Sequence, residues 1–174
     1  MRIREIIETI KSDKGCKVVE RTSEFSTDLK LPADLKFFYE NYEFIEFFIE
    51  KSFGLRIVPY NKLTPILKVI YPAEIYPADD FIWEDFEGDI CNDWFLIAES
   101  EEMGQYISIE LKEPHIGYCY DTPHEDPANP GTNAIIAKSF TELLEQIYES
   151  KCDGETWFWL DSNYQSYGDA YDGR

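Results

Sequence analysis

The stretch DDFIWEDFEGDICND, residues 79–93, is where chemistry would be sought first, because it sets Asp79, Asp80, Glu84, Asp85, Glu87 and Asp89 around Trp83 and Phe86. Three kinds of chemistry use such a mixture. A calcium loop needs the ordered D-x-[DN]-x-[DN]-G pattern closed by a twelfth-position Glu, and that order is missing. A hydrolase with paired carboxylates would use acids such as Glu84 and Asp89, with Trp83, Phe86 and Trp94 raising a neighbouring carboxyl's pKa by desolvation inside a cleft. A recognition surface would use the aromatics as buried anchors and the acids to meet Arg or Lys on a partner. An ordinary solvated acidic loop is the plain alternative to all three. Trp157, Trp159 and Tyr164 are second-rank contact candidates, with burial under a sheet as the competing reading.

Other reactive groups are sparse. The two histidines, His115 and His124, stand nine residues apart, and the nine glycines form neither G-x-x-x-x-G-K nor G-x-G-x-x-G, so no nucleotide cofactor is expected. Cys16, Cys91, Cys119 and Cys152 are widely spaced without a C-x-x-C or a histidine pair, which argues against zinc and a redox dithiol. Reduced, mostly buried thiols in a cytoplasm are the expectation. The opening MRIREIIETIKSDKG alternates charge with isoleucine and does not read as a signal peptide. No apolar run approaches the roughly 20 residues that span a bilayer.

Charge narrows the partner. Across 174 residues, 35 acidic against 16 basic side chains give −19, which repels nucleic acid and anionic lipid. Residues 1–68 carry 12 basic and 11 acidic groups, whereas residues 69–174 carry 4 and 24. From Val69 through Leu111 there are 12 acids and no Lys or Arg. A basic protein partner is the natural complement.

The elements that must position these acids can be read in order. A length of 174 residues fits one domain, 1–174, with an acidic aromatic extension from about residue 152. Ile3, Ile6, Ile7 and Ile10 line one face of an opening helix that stops near Gly15. Residues 16–30 read as a polar connector around a short extended piece. In LPADLKFFYENY, Pro32 suits a first helical position, and Leu35, Phe38, Tyr39 and Tyr42 make a core-facing stripe. In EFIEFFIE, Phe44, Phe47 and Phe48 suit a continuing helix while the density of Phe and Ile suits a strand; LRIVPY after Gly54 favours the strand reading and a hairpin, and Pro65, Pro72 and Pro77 predict an irregular segment with one helical turn. DWFLIAES and GQYISIEL predict an antiparallel pair turning at Gly104, IGYCYD a third strand, and residues 121–133 a loop. Ser139 and Glu142 form a capping box before Phe140, Leu143, Leu144 and Ile147.

Taken in order, LPADLKFFYENY, GLRIVPYNKL, WFLIAESEEMGQYISIEL and IIAKSFTELLEQIYES resemble the SUKH superfamily, which includes bacterial immunity proteins against polymorphic toxins and a yeast regulator of glucan synthesis. The resemblance implies an α+β fold, an antiparallel sheet flanked by N-terminal helices and a C-terminal helix. It also implies a protein that works by binding and is not an enzyme, often covering a nuclease toxin encoded beside it. The acidic segment around residues 71–93 and the end of the chain stand as additions to that pattern. The expected function is therefore an immunity protein that neutralises a cognate toxin, plausibly a nuclease, through an acidic surface. A regulatory interaction module without a toxin and a carboxylate-dependent hydrolase are the alternatives.

Overall fold

Alternating apolar residues call for a sheet, and the computed structural model, which describes residues 2–100 and 104–173, contains one. Among the described residues seven strands follow chain order, each antiparallel to the next: β1 Cys16–Glu20, β2 Tyr42–Phe47, β3 Leu55–Ile57, β4 Trp94–Glu99, β5 Gln105–Glu110, β6 Cys119–Pro123 and β7 Ile135–Ala137. The helices are α1 Arg2–Ser12, α2 Ala33–Asn41, the short α3 Ile66–Ile70, and α4 Phe140–Ser150. The α+β expectation holds.

One face of the sheet receives the long helices. Ile3, Ile7 and Ile10 of α1, Leu35, Phe38 and Tyr39 of α2, and Phe140, Leu143, Leu144 and Ile147 of α4 form one core with Ile45, Phe47, Ile107 and Ile109. Fully burying each such side chain stabilises the fold by roughly 1.5–3 kcal/mol. Asp34 ties two helices together, because its Oδ2 accepts from the Thr141 backbone N–H at 2.8 Å and from the Thr141 hydroxyl at 3.0 Å. Ser139 caps α4 by accepting from Glu142 N, while Glu142 reaches one residue further back than a capping box requires, to the Lys138 N–H.

The opposite face is covered by the connection between β3 and β4. Ile66, Leu67 and Ile70 of α3 meet Val58, Cys91, Trp94, Leu96, Tyr120 and Ala170 in a second core. A bulge between Leu96 and Ala98 gives β4 an extra residue, so Ile97 and Ala98 both face the helices while Trp94 and Leu96 face the other way.

Three local expectations need correction. Pro32 precedes α2 with extended backbone, ψ 152°, instead of occupying its first turn, and Tyr42 opens β2 instead of closing the helical stripe. The short extended piece expected within residues 16–30 is β1, which pairs with β2 at the edge of the sheet. Strand β6 begins at Cys119 because His115–Tyr118 closes a turn, and it runs to Pro123 inside the expected loop. Strand β7 is three residues long, too short to show a period. Of the expected β4–β5 turn, Gly104 is left-handed (φ 59°), and residues 101–103 lie outside those described.

Candidate functional site

Prolines 65, 72 and 77 prevent a long helix between β3 and β4, so the chain there folds as α3 followed by 3₁₀ turns at Phe81–Phe86 and Ile90–Asp93. Two of the acids build those turns. Asp80 Oδ1 accepts from Ile82 N at 3.1 Å, and Asp89 Oδ1 accepts from Cys91 N at 2.8 Å and from the Tyr171 hydroxyl at 2.8 Å. Tyr171 also packs against Trp94, ring centroids 6.2 Å apart, so the end of the chain braces the acidic segment. Its hydroxyl is held above the ordinary tyrosine range by burial first and then by the Asp89 carboxylate. The carboxylates of Asp79, Glu84, Asp85 and Glu87 cap neither turn, all four residues are exposed, and none forms an ion pair among the described residues.

Tyr71 is the hub of the aromatic part. Its ring lies edge-on to Tyr76 at 5.2 Å and to Trp83 at 6.1 Å, and tilted against Phe86 at 5.5 Å. Burial raises its pKa. Trp83 is fixed by its indole N–H, which donates to the Pro77 carbonyl at 2.9 Å. On one side of Trp83 is an apolar depression of about 710 Å³ floored by Leu67, Tyr71, Tyr76 and Cys91, with Lys68 and Glu74 on its lining. On the other is an acidic depression of about 460 Å³ lined by Asp79, Asp80, Glu84 and Glu87. The two share Ala78, Trp83 and Asn92. Phe81 and Ile75, in the same segment, are 78% and 67% exposed.

Of the residues singled out in the sequence, Asp79, Asp80, Trp83, Glu84, Phe86 and Glu87 line one depression, with Asp85 exposed beside them and Asp89 turned towards Tyr171. Trp157 and Trp159, each 5% exposed, belong to the helix-side core, and their rings stack at 5.4 Å. The Tyr164 hydroxyl lies against Ile136 O at 2.7 Å and Gln146 Oε1 at 3.0 Å. The structure therefore does not bring these three to the acidic segment. Leu67, Tyr71 and Tyr76 were not singled out; the recurring Tyr-Pro of YPAEIYPADD was the available signal.

Catalytic geometry is hard to build from these parts. Glu84 is exposed, without the enclosure a paired-carboxylate mechanism needs, and one oxygen of Asp89 is already engaged by Cys91 N and Tyr171. Among the described residues no three His, Cys, Asp or Glu side chains gather as metal ligands. The thiols are free, and burial pushes those of Cys16 and Cys152 up to about 11. One carboxyl is strongly perturbed: Asp121 on β6, pushed up to about 7 by burial and held by Gln105 Nε2, with Trp159 Nε1 beside it but outside hydrogen-bond geometry. Among the described residues no helix is long and apolar enough to cross a membrane.

A protein described as Immunity protein YokJ, from Bacillus subtilis strain 168, is 32% identical to this chain over 176 residues, taking in 99% of this chain and 98% of its own length. The chain belongs to the immunity-protein family of YokJ. No family model matches the chain, and no solved structure matches it. Because the likeness covers both proteins almost end to end, residues 71–93 and the stretch beyond 152 are part of the length shared with YokJ.

Proposed function

We propose that this protein is a cytoplasmic immunity protein of the SUKH superfamily, a single domain over residues 1–174, which neutralises a toxin by docking on it through the acidic segment and has no turnover of its own. The observation that carries the role is the near full-length likeness to Immunity protein YokJ. The mode of binding is supported by four exposed carboxylates, Asp79, Glu84, Asp85 and Glu87, that the fold neither pairs nor uses in its turns. A nuclease toxin must present Lys and Arg to phosphate, and carboxylates set among aromatics match that surface while excluding water from it. The partner is accordingly a basic, nuclease-like protein.

The test is co-expression with the product of the neighbouring gene, scoring rescue from toxicity and co-purification. Rescue and a stable complex are expected. Charge reversal by Asp85→Lys with Glu87→Lys should abolish rescue while leaving stability within about 0.5 kcal/mol, since both positions are exposed. Full rescue by that double variant would remove the acidic segment from the mechanism.

A further inference from the structure

If the protein is a toxin antagonist, the shape around Trp83 specifies what it grips. We propose that the two depressions form one bipartite groove for a basic segment of the toxin, with a bulky apolar side chain entering between Leu67, Tyr71, Tyr76 and Trp83, and Arg or Lys side chains lying against Asp79, Glu84 and Glu87. The inference rests on the immunity reading and adds the chemistry of the partner.

Three observations carry it. The depressions are contiguous, sharing Ala78, Trp83 and Asn92, and they differ in character. The apolar one, at about 710 Å³, is within the roughly 300–1,000 Å³ range of pockets that enclose a substantial ligand, so it has ample room for one large side chain. Its two charged lining residues, Lys68 and Glu74, are of opposite sign and the rest of its lining is mostly apolar, so an apolar guest is the better match. The acidic one has no Lys or Arg among the residues that line it.

The wall between them is also preorganised. Trp83 is anchored at its N–H by Pro77 O, and Tyr71 rests against both Tyr76 and Trp83. A groove already shaped loses little side-chain entropy when a partner arrives. The exposed Phe81 and Ile75 add apolar contact area in the same segment. Charge chooses among occupants: a second copy of this chain would bring acids against acids, and nucleic acid would bring phosphates against them. A basic protein segment satisfies both compartments.

The probe is the toxin domain encoded by the neighbouring gene, and binding is followed by surface kinetics at several salt concentrations. Ala78 is exposed and borders both depressions, so Ala78→Trp obstructs the groove from the solvent side without opening the core. Trp83→Ala removes the wall, and Glu84→Lys with Glu87→Lys reverses the acidic side; thermal melts confirm that each variant is folded. Ala78→Trp and Trp83→Ala should each weaken binding about tenfold or more through faster dissociation, with an unchanged salt slope. The charge reversal should slow association and flatten the salt slope. If the toxin binds and folded Ala78→Trp and Trp83→Ala stay within twofold of the parent, the groove is refuted while the immunity reading survives. If the toxin neither binds nor is neutralised, the immunity reading fails and takes the groove with it. Tighter binding of the toxin by Ala78→Trp would also refute it.

Discussion

Asp121 makes an internal test of the structure that needs no partner. It sits on β6, 5% exposed, with Gln105 Nε2 donating to its Oδ1, and the loss of water around it favours the neutral acid. Burial pushes the carboxyl from an ordinary 3.8 up to about 7. Between those values the native state holds a proton that the unfolded chain has released, so stability falls as pH rises. The contribution is complete below about pH 4 and gone above about pH 7. Each unit of difference is worth about 1.4 kcal/mol, so roughly two units between pH 5 and pH 7 amount to about 3 kcal/mol. Asp121→Asn keeps an oxygen for Gln105 and removes the titration. Urea melts of both proteins at pH 5, 6, 7 and 8 cancel the remaining carboxylates on subtraction, including Asp169, which lines a surface depression together with Asp121. The wild type should lose about 3 kcal/mol more than the variant across that range. Parallel curves would refute the burial argument at Asp121.

Other consequences can be checked on the isolated protein. Ser139→Ala removes the acceptor for Glu142 N at the start of α4 and should lower unfolding free energy by about 1 kcal/mol in denaturant melts. Gly54→Ala places a Cβ 2.5 Å from the Phe48 carbonyl oxygen, a backbone atom that cannot swing aside; roughly 1–3 kcal/mol of destabilisation is expected, with the Tm lowered accordingly. Thiol labelling at pH 8 should be slow at all four cysteines and accelerate on unfolding, because burial holds each of them above the ordinary thiol value.

Legibility followed physical period. Helices α1 and α4 were readable because isoleucine and leucine spacings repeat over three turns and Ser139 with Glu142 marks a start. Strands β4 and β5 were readable from apolar density and a glycine-bearing turn. What escaped was short or defined by tertiary contact: β7 has three residues, and the bounds of β6 are set by the turn before it. The acids of residues 79–89 could be found from composition, but not that Asp80 and Asp89 would be used as turn caps while their neighbours stayed free. Trp157 and Trp159 have the composition of an interface and the position of a core, a distinction that only tertiary packing makes. Tyr71 and Tyr76 carry no charge and sit among prolines, so only the folded segment reveals them as one side of a groove.

In the proposed docking, free carboxylates draw a basic toxin onto this surface. Stopped-flow association with the neighbouring gene's toxin domain, measured from about 0.01 M salt, where screening extends about 30 Å, to about 1 M, where it shrinks to about 3 Å, tests that claim most directly. A rate falling at least tenfold across that range, with dissociation little changed, is the expected result. An association rate indifferent to salt, or one that rises with it, would rule out electrostatic docking through the acidic segment.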